Sequence, residues 1–301
     1  MTAESTVLRI VAGKGGVGRT TVAAALAGRA AAAGKRVLAV DAIGSGGLDQ
    51  LIERVRSEAD GADPAASVDA TGFSLDFQTL RLTTRSSLDE YLKIYLRLPL
   101  NPSRLGPLAT IFDYVSAAAP GVRELLIIGK IGWEVRSGNW DEIIVDAPAT
   151  GHVVELLTAP RSMAELIPTG PLAQQTDWLT EVLGAASTEI VLVTLPEELP
   201  VTETGELLAR IRSETETSVS LLVANRTPRQ IGPAGMAEAA ALGGTTAAVA
   251  PVAQLGAARA EAAASQLERL AEHRLPTVYV QERHGAAVTA VVDAVAGMAT
   301  W

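Results

Sequence analysis

VLRIVAGKGGVGRTT, residues 7–21, is the stretch that decides the architecture. Residues 7–12 are a short apolar run bounded by glycine, which reads as a buried strand. After the glycines comes an Ala-rich segment, residues 20–33, with the composition of a helix, and Gly34 is placed to end it. Between strand and helix, residues 13–20 keep the spacing GxxxxG[K][ST] in the strand, turn and helix context that this motif needs. Glycines let the backbone wrap phosphate groups, whose charge is then met by main-chain N–H groups and the helix N-terminus. Gly13, Lys14, Gly15, Gly16, Val17, Gly18, Arg19, Thr20 and Thr21 are therefore the candidate phosphate-binding residues, and the Thr20 hydroxyl is a candidate Mg²⁺ ligand. One position departs from the motif, because Arg19 stands where a lysine normally touches the β and γ phosphates. Its planar fork stays cationic but places its donors differently from a compact ammonium, so binding is expected to survive the exchange better than fast turnover.

Outward from this segment, strands and helices alternate. Residues 36–40 read as a second strand ending at Asp41, followed by a Gly44-Ser45-Gly46-Gly47 turn and a helical stretch over 48–55. Residues 57–71 read as a polar loop, and 73–82 as an extra strand. From 86 to 135 the period becomes helical, with Leu88, Tyr91, Leu92, Tyr95 and Leu96 on one face and Val122, Leu125, Leu126 and Gly129 on another. Further strands are expected at 143–145, 190–195, 219–224 and 277–280, with helices at 171–186, 201–214, 256–274 and 285–299. This alternation predicts an α/β fold with a doubly wound, mostly parallel sheet. The chain is expected to be one domain over 1–301, with helical subdomain insertions near 84–136 and 153–188. No internal repeat marks a tandem pair.

The composition narrows the function. Within 301 residues, 48% are hydrophobic but only 4% aromatic, so Ala, Leu, Val and Ile build the core. A net charge of -9, without a long basic cluster, offers nothing to nucleic acid or anionic lipid. The absence of cysteine excludes disulfides, thiolate metal sites and thiol redox chemistry. Residues 1–6 are polar and the first apolar run is too short for a signal peptide or a membrane span, so a cytoplasmic protein with no stable membrane insertion is expected.

The string KGGVG at 14–18 and the segment Asp146-Ala147-Pro148-Ala149-Thr150-Gly151-His152 together resemble the deviant Walker A ATPases, specifically the family of the arsenical pump-driving ATPase and the tail-anchored-protein targeting ATPase. The resemblance runs from residue 7 to about 226 and weakens beyond. It implies that Lys14 reaches across a nucleotide-sandwich dimer to the partner's phosphates, that Asp146 holds Mg²⁺ through water, and that residues 148–151 sense the γ phosphate. It leaves His152 to cap the following helix or to steady the switch. In the family the second strand is followed by D-T-D-P-A. Here Asp41 falls on the first aspartate and Ile43 on the second, so the catalytic carboxylate is missing unless a one-residue slip brings Asp41 into its place; Asp49 is a remote substitute. Asn225 resembles the adenine-reading asparagine, although an Asn in a turn reads almost as well. The stretch 195–204, LPEELPVTET, resembles another family segment whose charges are candidates for a partner contact.

The departures shape the functional expectation. Without cysteine, a zinc-clamped dimer and thiol capture of a metalloid are excluded, and four Met leave no adaptable Met-rich client surface. The chain looks most like the single-unit actinobacterial members that occur as gene pairs, a likeness carried by residues 118–126 and by Gly129-Lys130-Ile131. The expectation is an ATP·Mg²⁺-binding subunit of a homodimer or heterodimer with a related subunit of this anion-transporting ATPase family, its hydrolysis weakened at Arg19 and Ile43. Its catalytic candidates are Lys14, Arg19, Asp41 and Asp146, its metal ligands Thr20 and Asp146, and its client unknown. A fully active ATPase coupled to a client or pump, a Min-like membrane-positioning ATPase and an interaction protein that binds no nucleotide are the alternatives.

Overall fold

Seven strands among the described residues, β1 (Val7–Gly13), β2 (Val37–Asp41), β3 (Gln78–Arg81), β4 (Glu142–Asp146), β5 (Thr188–Thr194), β6 (Ser218–Thr227) and β7 (Thr277–Gln281), form one sheet in the order β3-β2-β4-β1-β5-β6-β7. Every pairing is parallel. The structure is a computed structural model that describes residues 6–60, 73–82, 121–166, 169, 171–229, 232–242 and 249–282. Parallel neighbours need crossovers, and the helices that supply them cover both faces, which is why β2 and β4 are buried at every position.

On one face lie α1 (Arg19–Ala32) and α2 (Gly47–Asp60). Alanine side chains let α1 approach the sheet closely, and Ala23, Ala24, Ala25 and Ala27 are all buried there. Gly28 interrupts the alanine run because the ring of Phe73 packs against it, leaving no room for a Cβ. The opposite face carries α3 (Val122–Ser137), α4 (Thr150–Leu166), α5 (Pro171–Gly184) and α6 (Glu198–Glu214). Leu125, Ile128 and Ile131 of α3, Val153 and Leu156 of α4, and Leu179 of α5 share one core with β1, β4 and β5. A helical pair, α7 (Pro233–Leu242) and α8 (Val249–Ala271), leads to β7.

The chain starts at β1 in the middle of the sheet, builds β2, β3 and β4 on one side, and crosses to the other for β5, β6 and β7. The strand order thus reverses at β1, and the crevice at the carboxyl ends of strands flanking such a reversal is where α/β sheets bind ligands. Register brings Asp41 beside Asp146, Val11 beside Asp146, and Gly13 beside Val193 at that edge.

The doubly wound parallel sheet is as expected, including the extra strand within 73–82. Three expectations need correction. Residues 57–60 continue α2 where a loop was expected, α8 begins seven residues before Gly256, and α7 was not expected at all. In α2 the Glu and Arg residues sustain the helix up to the Gly and Pro that follow, and in α7 an Ala-rich sequence with Glu238 as its one charged residue gives no amphipathic period to read. The loop over 61–71, the helical face from Leu88 to Leu96 and the helix at 285–299 lie outside the described residues.

Candidate functional site

The loop after β1 is held from beneath. Val17 is 1% exposed, its side chain sunk among α1 and the strands, while Gly15 and Gly16 face solvent. Gly18 is the N-cap of α1 with φ +99°, and a Cβ there would collide with the side-chain amide of Asn225, so both backbone and space demand glycine. Asn225 Nδ2 donates to Val17 O at 2.7 Å and its Oδ1 accepts Arg226 N–H at 2.9 Å. Asn225 is thus a buttress of the phosphate loop, made by the end of β6.

Thr20, in the first turn of α1, donates its hydroxyl to Asp146 Oδ2 at 2.6 Å; Thr21 follows, half-buried. Asp146 is 1% exposed, and Oδ1 is buried without a hydrogen-bond partner. Burial pushes its pKa up to about 6; the Thr20 bond and the Arg19 charge pull it down, and Asp41 adds a further rise. A buried carboxylate oxygen with no donor, beside a hydroxyl, is the donor set of a hard, oxygen-seeking cation, so these residues fit Mg²⁺.

Arg19 does not point out of the loop. Its Nη1 donates to Ala147 O, the residue after Asp146, and burial lowers its pKa while Asp146 raises it. The guanidinium therefore ties the phosphate loop to the start of the 147–149 turn. Lys14 is also engaged: its Nζ lies 2.6 Å from Glu203 Oε1 on α6, 189 residues away, with each side chain about a third exposed. The charges of residues 195–204 include this partner of Lys14 within the same chain, which the sequence alone did not single out.

Asp41 is 2% exposed and accepts three main-chain N–H groups of the loop that follows, from Ile43 at 3.0 Å and Gly44 at 2.8 Å on Oδ1, and from Gly46 at 2.8 Å on Oδ2. Asp49 pairs with Arg81 at 3.0 Å. His152 is 67% exposed and pairs with Glu155 one turn along α4 at 3.0 Å. The structure brings Arg19, Thr20 and Asp146 into one cluster, sets Asp41 beside it in register, and sends Lys14 towards α6.

Residues 8–273 match the CobQ/CobB/MinD/ParA nucleotide binding domain. The chain belongs to this family. Within it, the chain is 31% identical over 243 residues to ATPase BagA of Mycobacterium tuberculosis, an overlap of 77% of this chain and 69% of that protein. It is 24% identical over 263 residues to ATPase GET3C of Arabidopsis thaliana, covering 73% and 67% of the two chains. It is also 26% identical over 159 residues to a putative arsenical pump-driving ATPase of Aquifex aeolicus, covering 52% and 50%. These relatives make it an ATPase of the arsenical-pump and tail-anchored-targeting kind, and the loop from Gly13 to Thr20 keeps the spacing of the phosphate-binding motif between β1 and α1. Among the described residues, no helix of this ATPase is long and apolar enough to cross a membrane.

Proposed function

We propose that this chain binds ATP·Mg²⁺ as one subunit of a nucleotide-sandwich dimer and turns ATP over slowly. The observation that carries the reading is the destination of Arg19: the side chain standing in for the phosphate-contacting lysine is half-buried and bound to Ala147 O. Contact with a β or γ phosphate requires that bond to be given up. Losing one charge contact to a transition state costs about two to three powers of ten in rate.

Main-chain N–H groups of residues 13–20 hold the phosphates in this reading, and Thr20 and Asp146 hold the metal. Bound Mg²⁺ supplies charge neutralisation across the phosphate oxygens. A cavity of about 290 Å³ beside Asn225, lined by Pro196, Glu197, Arg226, Pro228 and Arg259, is the place for the nucleoside. Asp41 shapes the loop after β2, and Ile43 leaves that loop without a carboxylate to orient water. Lys14 serves the partner subunit's nucleotide, a related ATPase chain or a second copy, and must first leave Glu203.

Steady-state phosphate release by the wild type, Arg19→Lys and Lys14→Ala, with ATP binding followed by calorimetry, tests this. The expected result is ATP binding by the wild type with turnover that Arg19→Lys raises. Rapid turnover by the wild type, abolished by Lys14→Ala, would instead make the chain a self-sufficient homodimeric ATPase. Absence of any calorimetric signal for ATP·Mg²⁺ would leave an interaction protein.

A further inference from the structure

Glu124 in the first turn of α3, and His152 and Glu155 in the first turn and a half of α4, bring one possible ligand atom each to within 4.8 Å of one another. His152 and Glu155 are three residues apart and so share a helix face. Glu124 comes from a different helix, and among the described residues it makes no hydrogen bond or ion pair of its own. The nearby cation is Arg210 of α6, whose charge senses Glu155, but its guanidinium is held by Glu214 at 2.8 and 3.2 Å. Two carboxylates and one imidazole therefore converge, and the cation whose charge reaches Glu155, Arg210, is already committed to Glu214.

We propose that Glu124, His152 and Glu155 form a site for a divalent transition-metal cation of the Zn²⁺ class, with water completing the coordination. The donor chemistry selects the ion: oxygen alone would suit Ca²⁺ or Mg²⁺, whereas an imidazole tips preference to Zn²⁺ and its neighbours. The two carboxylates balance its charge. Bonds of about 2.0 to 2.2 Å around a tetrahedral centre set ligand atoms about 3.3 to 3.6 Å apart. The His152 Nδ1 to Glu155 Oε2 separation is already 3.0 Å, and a ligand atom of Glu124 lies within 4.8 Å of theirs. The bound ion fastens the start of α3 to the start of α4, directly after the 147–149 turn. It is separate from the Thr20–Asp146 pair and does not depend on ATP.

Titration of Zn²⁺ into the chelator-stripped full chain, without nucleotide, reads the site by calorimetry, and Co²⁺ substitution reads it by visible absorption. One ion per chain is expected. His152→Ala and Glu124→Gln should each weaken binding by at least about tenfold, since even residues that only support metal ligands matter by that factor. The Co²⁺ bands should change in His152→Ala, and Asp146→Asn should leave the stoichiometry at one. All of these side chains except Asp146 are at least partly exposed, so circular dichroism will confirm folded variants. No Zn²⁺ binding, binding unchanged by Glu124→Gln or His152→Ala, or binding lost in Asp146→Asn would each overturn the site.

Discussion

The two ends of β4 bury carboxylates equally and treat them oppositely. Glu142, at the amino end, is 2% exposed and is met by Arg9 Nη1 and by Lys35 Nζ at 2.8 Å, while Arg9 Nε continues to Glu189 at 2.6 Å. Positive and negative charges alternate there across β4, β1 and β5. Asp146, four residues later at the carboxyl end, has one neutral hydroxyl, a second oxygen with no donor, Asp41 as a like-charged neighbour, and one nearby cation, Arg19, whose Nη1 is bound to Ala147 O instead. One end is electrostatically complete and the other waits for a ligand. Buried charge holds a fold only when its partners are built in; left unmatched, it lowers stability and marks a place where something else binds.

The largest expected effect is at the complete end. Glu142→Ala leaves Arg9 and Lys35 without their shared acceptor and should destabilise the chain by about 3–5 kcal/mol, read from urea unfolding. A loss below about 1 kcal/mol would mean that the amino-end charges are screened and that the contrast is weaker than the geometry suggests. Asp146→Asn should act in the other direction. The folded carboxyl holds its proton up to about pH 6, against 3.8 for an unperturbed one, so the native state binds more protons than the unfolded state across that window. Wild-type stability therefore falls as pH rises from about 4 to 6, and the nucleotide-free Asn variant escapes this, gaining up to about 3 kcal/mol at pH 7. Below about pH 4 the two proteins should converge. A stability difference that stays constant from pH 4 to 8 would show that burial does not perturb Asp146. The same variant should lose Mg²⁺-dependent nucleotide affinity.

Much of the carboxyl end is legible in the sequence because its parts are local. Strand, glycine turn and helix are contiguous, and a carboxylate closing an apolar run, as Asp41 and Asp146 do, predicts which edge of a parallel sheet gathers the chemistry. The pairs that join distant segments are not legible. Glu203 meets Lys14 across 189 positions, and Ala147 O receives Arg19 across 128, through crossovers whose landing points no periodicity encodes. Main-chain acceptors carry no signature at all. The Glu142 cluster is likewise hidden, since a glutamate opening a strand looks like an ordinary exposed end until β1 and β2 are laid beside it.

Two smaller effects sharpen the picture of the carboxyl end. Asn225→Ala removes the donor to Val17 O and should cost about 1–2 kcal/mol, with faster amide exchange in the phosphate loop. Exchange rates unaltered at residues 15–18 would deny Asn225 its supporting role. Glu203→Gln should change stability by less than about 1 kcal/mol, because the pair is partly solvated. It should nonetheless tighten ATP binding by releasing Lys14; an unchanged calorimetric affinity would mean that the pair does not compete with nucleotide.

The loop after β2 is already liganded by its own chain. With three of its amides satisfied by Asp41, it resembles an anion receptor delivered with the anion installed, and its order needs no visitor. The Gly44 and Gly46 amides should exchange slowly with or without ATP, whereas the turn after β4, tied to Arg19 through Ala147 O, has a bond to surrender.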